Sequence, residues 1–239
     1  MRIRLQYAKT GKIRFSSHRD MARCWERALR RAELPVASTE GFSPRPRLHF
    51  GLALSTGHES DGEYLDVDLR EPEAASVDPS TLATLLTPLL PPGIEIVDAV
   101  VIDRSEPSLQ EAVTSCTWRI EVPGESPESL EAAVQELLAR PTIPFTRERK
   151  GRATTDDLRP GILDLRVIGA APSDAPEPGA LLEAELATQP RSVRPAELLA
   201  AFDPPRSEGR VRRTHQWIND DGARREPTRA PSRVPVGAR

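Results

Sequence analysis

The residues best equipped for chemistry crowd into the first seventy positions. Ser17-His18-Arg19-Asp20 lies where an alternating segment gives way to a helical one. A helix start offers free N–H groups and the positive end of the dipole, which favour an anion. An imidazole there can both accept and donate a proton and so suits proton transfer. Ser17 and His18 are thus candidates for anion binding, and His18 also for general acid–base work. The same residues fit a plain cap equally well, with Ser17 as N-cap and Asp20 answering three residues later.

Gly41-Phe42-Ser43-Pro44-Arg45-Pro46-Arg47 is the second unusual segment. Each proline fixes φ near about −65° and pushes the preceding residue toward extended backbone. Arg45 and Arg47 would then project from a stiff, polyproline-like arm, or sit solvated on a rigid connector. Arginine suits planar, bidentate phosphate contacts. Lys12, Arg14, Arg23, Arg45 and Arg47, with Gly41 and Phe42, are expected to converge on one electropositive surface that holds phosphates. Arg19, Arg23, Arg27, Arg30 and Arg31 mark the polar side of the first helix, either a solvated face or part of that surface.

Acidic residues follow at Glu59, Asp61, Glu63, Asp66 and Asp68. Glu63, Tyr64 and Asp66, together with Asp20, are expected to form an ion-pair network with the arginines. His18, Asp20 and Asp66 are the residues a catalytic alternative would use. Further on, Asp157 and Arg159 either order a loop or form a simple turn.

Phosphate-binding and dinucleotide glycine loops are missing, as is the zinc-protease helix motif. His18, His49, His58 and His215 show no metal-ligand spacing, so no metal site is expected. Cys24 and Cys116 are too few to build an iron–sulfur or zinc site unaided, and Cys24 falls on the apolar stripe of its helix.

The elements that must position these residues follow from periodicity. Ile3, Leu5 and Tyr7 alternate as a strand, resumed by Ile13 and Phe15 beyond Gly11. Met21, Cys24, Trp25, Ala28, Leu29 and Ala32 recur at helical spacing until Pro35. Two strands at Leu48–Leu54 and Leu65–Leu69 predict a hairpin; a helix over 79–89 and a strand over 94–102 follow. The order is β-α-β-β-α-β, and it recurs after a linker at 103–107 with strands near 118–122, 143–149, 162–167, 181–187 and 211–218. The expected fold is α+β, with two tandem ferredoxin-like units. Their bounds are 1–103 and 112–218, with a disordered tail over 219–239.

Composition narrows the class. The 239 residues are 38% hydrophobic with only 4% aromatics. No apolar run approaches the roughly 20 residues of a membrane span, and Met1–Tyr7 lacks a secretory apolar core, so a cytoplasmic protein without membrane contact is expected. The net charge of −3 hides segregation: residues 1–50 carry twelve Lys and Arg against four Asp and Glu, while 51–139 carry three against eighteen. An anion would be focused onto the N-terminal block.

Taken together, Tyr7-x-Lys9-x-Gly11-x-x-Arg14-Phe15, Ser17-His18-x-Asp20, Arg27-Ala28-x-Arg30-Arg31-Ala32-x-Leu34-Pro35, Glu40-Gly41-Phe42-x-Pro44-x-Pro46, Leu54-x-x-Gly57 and Glu63-Tyr64-x-Asp66 resemble the radical-SAM-linked protein family. That family is a domain of unknown function encoded beside, or fused to, cobalamin-binding-type radical SAM proteins. The likeness covers about residues 2–200, with a weaker match at Asp157-Leu158-Arg159-Pro160. It implies a radical SAM partner that carries the iron–sulfur cluster and S-adenosylmethionine, with no cofactor in this chain. The function expected on this basis is non-catalytic binding of substrate, RNA or tRNA, for that partner. An RNA-processing or RNA-modifying enzyme and a pure protein-docking module are the alternatives.

Overall fold

The computed structural model describes residues 1–149, 151–172, 174–220 and 222–229. In chain order the elements are β1 (Arg2–Lys9), α1 (His18–Arg31), β2 (Leu48–Phe50), β3 (Glu59–Asp68), α2 (Leu82–Leu86), β4 (Ile94–Ile102), α3 (Leu109–Ala112), β5 (Val113–Pro123) and α4 (Pro127–Leu138). They continue with β6 (Pro144–Arg149), β7 (Arg152–Asp157), β8 (Ile162–Ala170), β9 (Gly179–Ala187), α5 (Pro195–Ala200), β10 (Val211–Asp220) and β11 (Ala223–Arg225). The fold is mixed α+β. The chain divides into two compact units: Met1–Val113 with the stretch from Gln216 onward, and Thr114–His215.

In the first unit β1 lies between β3 and β4, and β2 pairs with the far side of β3, every pairing antiparallel. Alternation along β1 sends Ile3, Leu5 and Tyr7 into the core, where they meet Met21, Trp25, Ala28 and Leu29 of α1. Trp25 is fully buried and packs edge-on against Tyr7 at 4.9 Å between ring centroids. Arg2 and Arg4 point to the opposite face. There each meets its cross-strand partner, Asp68 and Asp66, whose register the pleat aligns.

Ile13 and Phe15 do not resume a strand. Gly11, at φ 68°, turns the chain into a 3-10 helix over Gly11–Phe15. The buried Lys9 ammonium donates to the carbonyls of Arg14 and Ser16 at 3.4 and 3.3 Å, which fastens that turn. Thr10 N donates to Gly93 O at 2.8 Å. A Cβ on Gly93 would stand 2.2 Å from the Thr10 carbonyl oxygen, so only glycine fits there.

The second unit has β9 between β5 and β8, again antiparallel. The first part of β10 lies beside β5, and Thr214 Oγ1 donates to Thr117 O at 3.2 Å. Between α4 and β8 stands a separate hairpin, β6 with β7. Its second strand, Arg-Ala-Thr-Thr-Asp-Asp, shows no apolar alternation. Backbone pairing and the 2.7 Å contact between the Thr146 and Thr155 hydroxyls hold it instead.

A tail disordered from residue 219 is corrected over its described part. β11 turns back on β10, and the Arg224 guanidinium lies 3.9 Å from the centroid of Trp217. Arg4 Nη1 donates to Pro227 O at 3.3 Å, and Thr228 Oγ1 donates to Gln6 Oε1 at 3.0 Å. A polar strand face needs partners once covered, and this segment supplies them. Residues 230–239 of that expectation lie outside the described residues. Among the described residues no helix is long and apolar enough to cross a membrane.

Candidate functional site

α1 is built to show arginine on one side. Ser17 Oγ accepts from Asp20 N at 3.2 Å and donates to Asp20 Oδ2 at 2.7 Å, closing the first turn. The Ser17 hydroxyl holds the Asp20 carboxyl below the usual carboxylate range. With Met21, Trp25, Ala28 and Leu29 buried, the arginines at 19, 23, 27 and 30 fall three or four apart on the opposite face. They span about 16 Å at 1.5 Å per residue. All four, and Arg31, are exposed. Arg23 lies 3.8 Å from Asp20. Among the described residues, Arg19, Arg27, Arg30 and Arg31 are in ion-pair contact with no carboxylate.

At the N-terminal end of this stripe, Lys12 is exposed and Arg14 is half-buried, its guanidinium 3.3 Å from the buried Glu59 carboxylate. The same guanidinium stands 4.6 Å from the centroid of Phe15, which is 61% exposed.

At the C-terminal end the chain is tied to the far end of β3. Val36 bridges Leu69, and Arg70 N donates to Pro35 O at 2.7 Å. Gly41 to Arg47 is not a polyproline arm. Arg47 N donates to Ala37 O at 2.8 Å, Thr39 N to Arg45 O at 2.9 Å, and Arg45 N to Thr39 Oγ1 at 3.0 Å. The segment therefore folds back on residues 37–39, because a backbone with donors available beside it takes pairing over extension. Gly41, at φ 121°, makes the reversal possible, and Phe42 stands fully exposed at the tip. Arg45 and Arg47 are exposed.

The expected convergence on one patch is corrected by the register. Arg14 sits against Glu59 at the start of β3, and Asp68 N at its end donates to Arg47 O at 3.2 Å. Nine residues of strand at about 3.3 Å each set these ends close to 30 Å apart. The basic residues form two end groups with α1 running between them, and Arg19, Arg27, Arg30 and Arg31 belong to that line.

Asp66 is corrected as a catalytic alternative. Both its oxygens are taken by Arg4, at 2.7 and 2.9 Å, in a pair only 1% and 4% exposed. Its proton-accepting lone pairs face a permanent cation. Arg2 grips Asp68 in the same manner, at 2.6 and 3.3 Å, and His49 Nε2 approaches Asp68 Oδ2 at 3.3 Å. Burial pushes the Asp68 carboxyl up, but the hydrogen bonds from Arg2 and His49 outweigh it and leave it below its ordinary value.

His18 is exposed and meets Phe50 edge-on at 4.9 Å. Both line an open groove of about 580 Å³ with Arg2, His49, Asp66 and Leu109. A smaller recess shares His18 and Phe50 and adds Lys9, Glu63 and Tyr64, all three buried. The groove offers imidazole and aromatic surface to a flat ring.

In the second unit Asp157 Oδ1 accepts from Ile143 N at 2.7 Å and Arg159 N at 2.9 Å, which holds its carboxyl below the usual range. Arg159 Nη1 donates to Ile162 O at 3.4 Å. Both residues make a local turn. Among the described residues no three His, Cys, Asp or Glu side chains gather as a metal-ligand set.

No curated protein matches the chain. A family model does, over residues 2–195, which includes all of α1, both end groups and the groove. The chain belongs to the family described as an uncharacterized protein conserved in bacteria (DUF2344).

Proposed function

We propose that this protein holds RNA along α1, as the non-catalytic, substrate-binding partner of a radical SAM enzyme. The carrying observation is the run of exposed arginines at 19, 27, 30 and 31 with no carboxylate in ion-pair contact among the described residues. Four guanidinium groups left unpartnered on one helix repel one another at a cost of about 0.2–0.5 kcal/mol per adjacent pair, and every fork stays free for phosphate. The acidic remainder of the chain repels a polyanion from elsewhere and directs it to this face.

The radical SAM partner comes from the family resemblance; the cluster and S-adenosylmethionine belong to it. The proposed architecture has its own support. The pairing order β4-β1-β3-β2, all antiparallel, is that of a split βαβ unit, and β10-β5-β9-β8 repeats it with the β6–β7 hairpin inserted. Tandem ferredoxin-like units are the architecture this order suggests.

Purified protein incubated with total tRNA and with single-stranded RNA, at low and moderate salt, tests the proposal. The wild type is expected to bind, and Arg19→Gln, Arg27→Gln and Arg30→Gln combined are expected to abolish most of that binding with the fold intact. Retained binding in the triple variant, or none in the wild type, would overturn it. New cleavage or a mass change in the RNA without a partner would show an enzyme instead.

A further inference from the structure

Two exposed phenylalanines stand at the two ends of the arginine stripe. Phe15 is 61% exposed beneath the Arg14 guanidinium, next to Lys12. Phe42 is fully exposed at the tip of the 37–47 loop, three residues before Arg45. The base of the loop is held by its own pairing of residues 37–39 with 45–47, and the ring stands at the tip that this base carries. A solvent-facing aromatic beside cations, Arg14 at one end and Arg45 at the other, is expensive to keep wet, yet it has the composition of a base-stacking platform. A ring at each end and cations between them make a different device from a basic patch.

We infer that Phe15 and Phe42 are base-stacking anchors at the two ends of one single-stranded RNA footprint, with the α1 arginines gripping the intervening phosphates. This rests on the proposed RNA-holding role of α1 and adds to it a strand type, a length and two contact residues. Bases inside a duplex are stacked on each other and cannot offer their faces, so the anchors select unpaired RNA. The length follows from β3, whose ends carry Arg14 and Arg47. Close to 30 Å corresponds to about nine nucleotides at the 3.4 Å spacing of a stacked strand, and about four to five when the strand is drawn out to twice that. Such a footprint lies within the roughly 4–16 nucleotides covered by known single-strand modules.

The probe is fluorescein-labelled oligouridine of three to twelve nucleotides, read by anisotropy with the full chain. Affinity is expected to climb steeply up to a length between about five and nine nucleotides and then to level off. Phe15→Ala and Phe42→Ala are each expected to weaken binding of the long oligomer about tenfold, leaving the salt dependence unchanged. Phe42→Trp should restore it, with its fluorescence quenched on binding. Phe42→Ala should leave a three-nucleotide oligomer bound as before whenever that oligomer occupies the other anchor. A plateau at three nucleotides, neutral phenylalanine variants, or equal binding of duplex RNA would overturn the two-anchor footprint. If in those cases replacing the α1 arginines still abolishes binding, the RNA-holding role stands without the anchors. If no RNA binds at low salt, both fall.

Discussion

Arg2 and Arg4 on β1 and Arg19, Arg27, Arg30 and Arg31 on α1 are the same residue type a few positions apart, in opposite surroundings. On β1 each guanidinium meets a carboxylate across the sheet, and Arg4 is 1% exposed beneath the segment that ends in Thr228. On α1 they face solvent with no carboxylate in contact. The second unit repeats the β1 habit: Arg166 and Arg119 share Glu183, Arg191 joins Asp156 and Glu197, and Arg206 meets Glu125. These strand arginines are structural because a carboxylate is in register with them, whereas among the described residues those at 19, 27, 30 and 31 meet none. A count of basic residues blends the two groups, whereas strand register separates them.

The contrast is most easily broken by truncation. Asp66→Ala should cost about 3–5 kcal/mol, since the buried Arg4 cation loses both short carboxylate bonds and keeps as carboxylate only Glu106 at 3.6 Å, while Arg27→Ala should stay within about 0.5 kcal/mol, as for a plain surface position. Urea melts of the two variants decide this, and equal losses would mean that α1 arginines hold the fold as well. Ending the chain at Asp220 removes the Pro227 carbonyl from Arg4 Nη1, which keeps only Glu106 at 3.6 Å, and the Thr228 hydroxyl from Gln6. A loss of about 1–3 kcal/mol is expected, the cost of a buried polar group left unmatched. An unchanged melting temperature would return the segment to the status of an idle tail.

A smaller effect sharpens the helix side. Ser17→Ala should cost about 0.5–2 kcal/mol, through the N–H of Asp20 that it leaves unmet. Its RNA affinity should change little, because the arginine stripe does not depend on the cap hydroxyl. The least effect concerns acid. Asp68 binds its proton more weakly in the folded chain than in the unfolded one. Its contribution to stability is thus fully present above the unfolded value of about 3.9 and fades as the pH falls through the lower folded value. Relative to Asp68→Asn, the wild type should lose its advantage progressively as the pH falls below about 4. An advantage that grows on acidification would reverse the sign and refute the Arg2 pairing as its source.

Local signals in the sequence were legible where chemistry and period agreed. Ser17 with Asp20 announced the start of α1, and the apolar spacing of Met21, Trp25, Ala28 and Leu29 announced its buried face. The acidic run of β3 led to an expected network with the arginines, and Asp66 of that run meets Arg4. What could not be read was set by backbone partners distant in sequence. Pro44 and Pro46 suggested extension, but Ala37 and Thr39 were waiting with donors and acceptors. Nothing local in Ala223–Thr228 told that it would cover Arg4 and Gln6, more than two hundred residues away. The split of the basic residues into two ends had the same origin: sequence proximity places Arg14 and Arg47 near each other, and the β3 register holds them apart.

The salt dependence of RNA affinity tests the arginine stripe most directly. With single-stranded oligouridine, the log–log slope is expected to be about −0.7 for each phosphate neutralised. Arg19→Gln, Arg27→Gln and Arg30→Gln combined should flatten it by about 2, while Arg166→Gln, whose charge is already shared with Glu183, should leave it unchanged. An undetectable affinity at low salt, or a slope that the triple variant leaves as steep as before, would contradict the account.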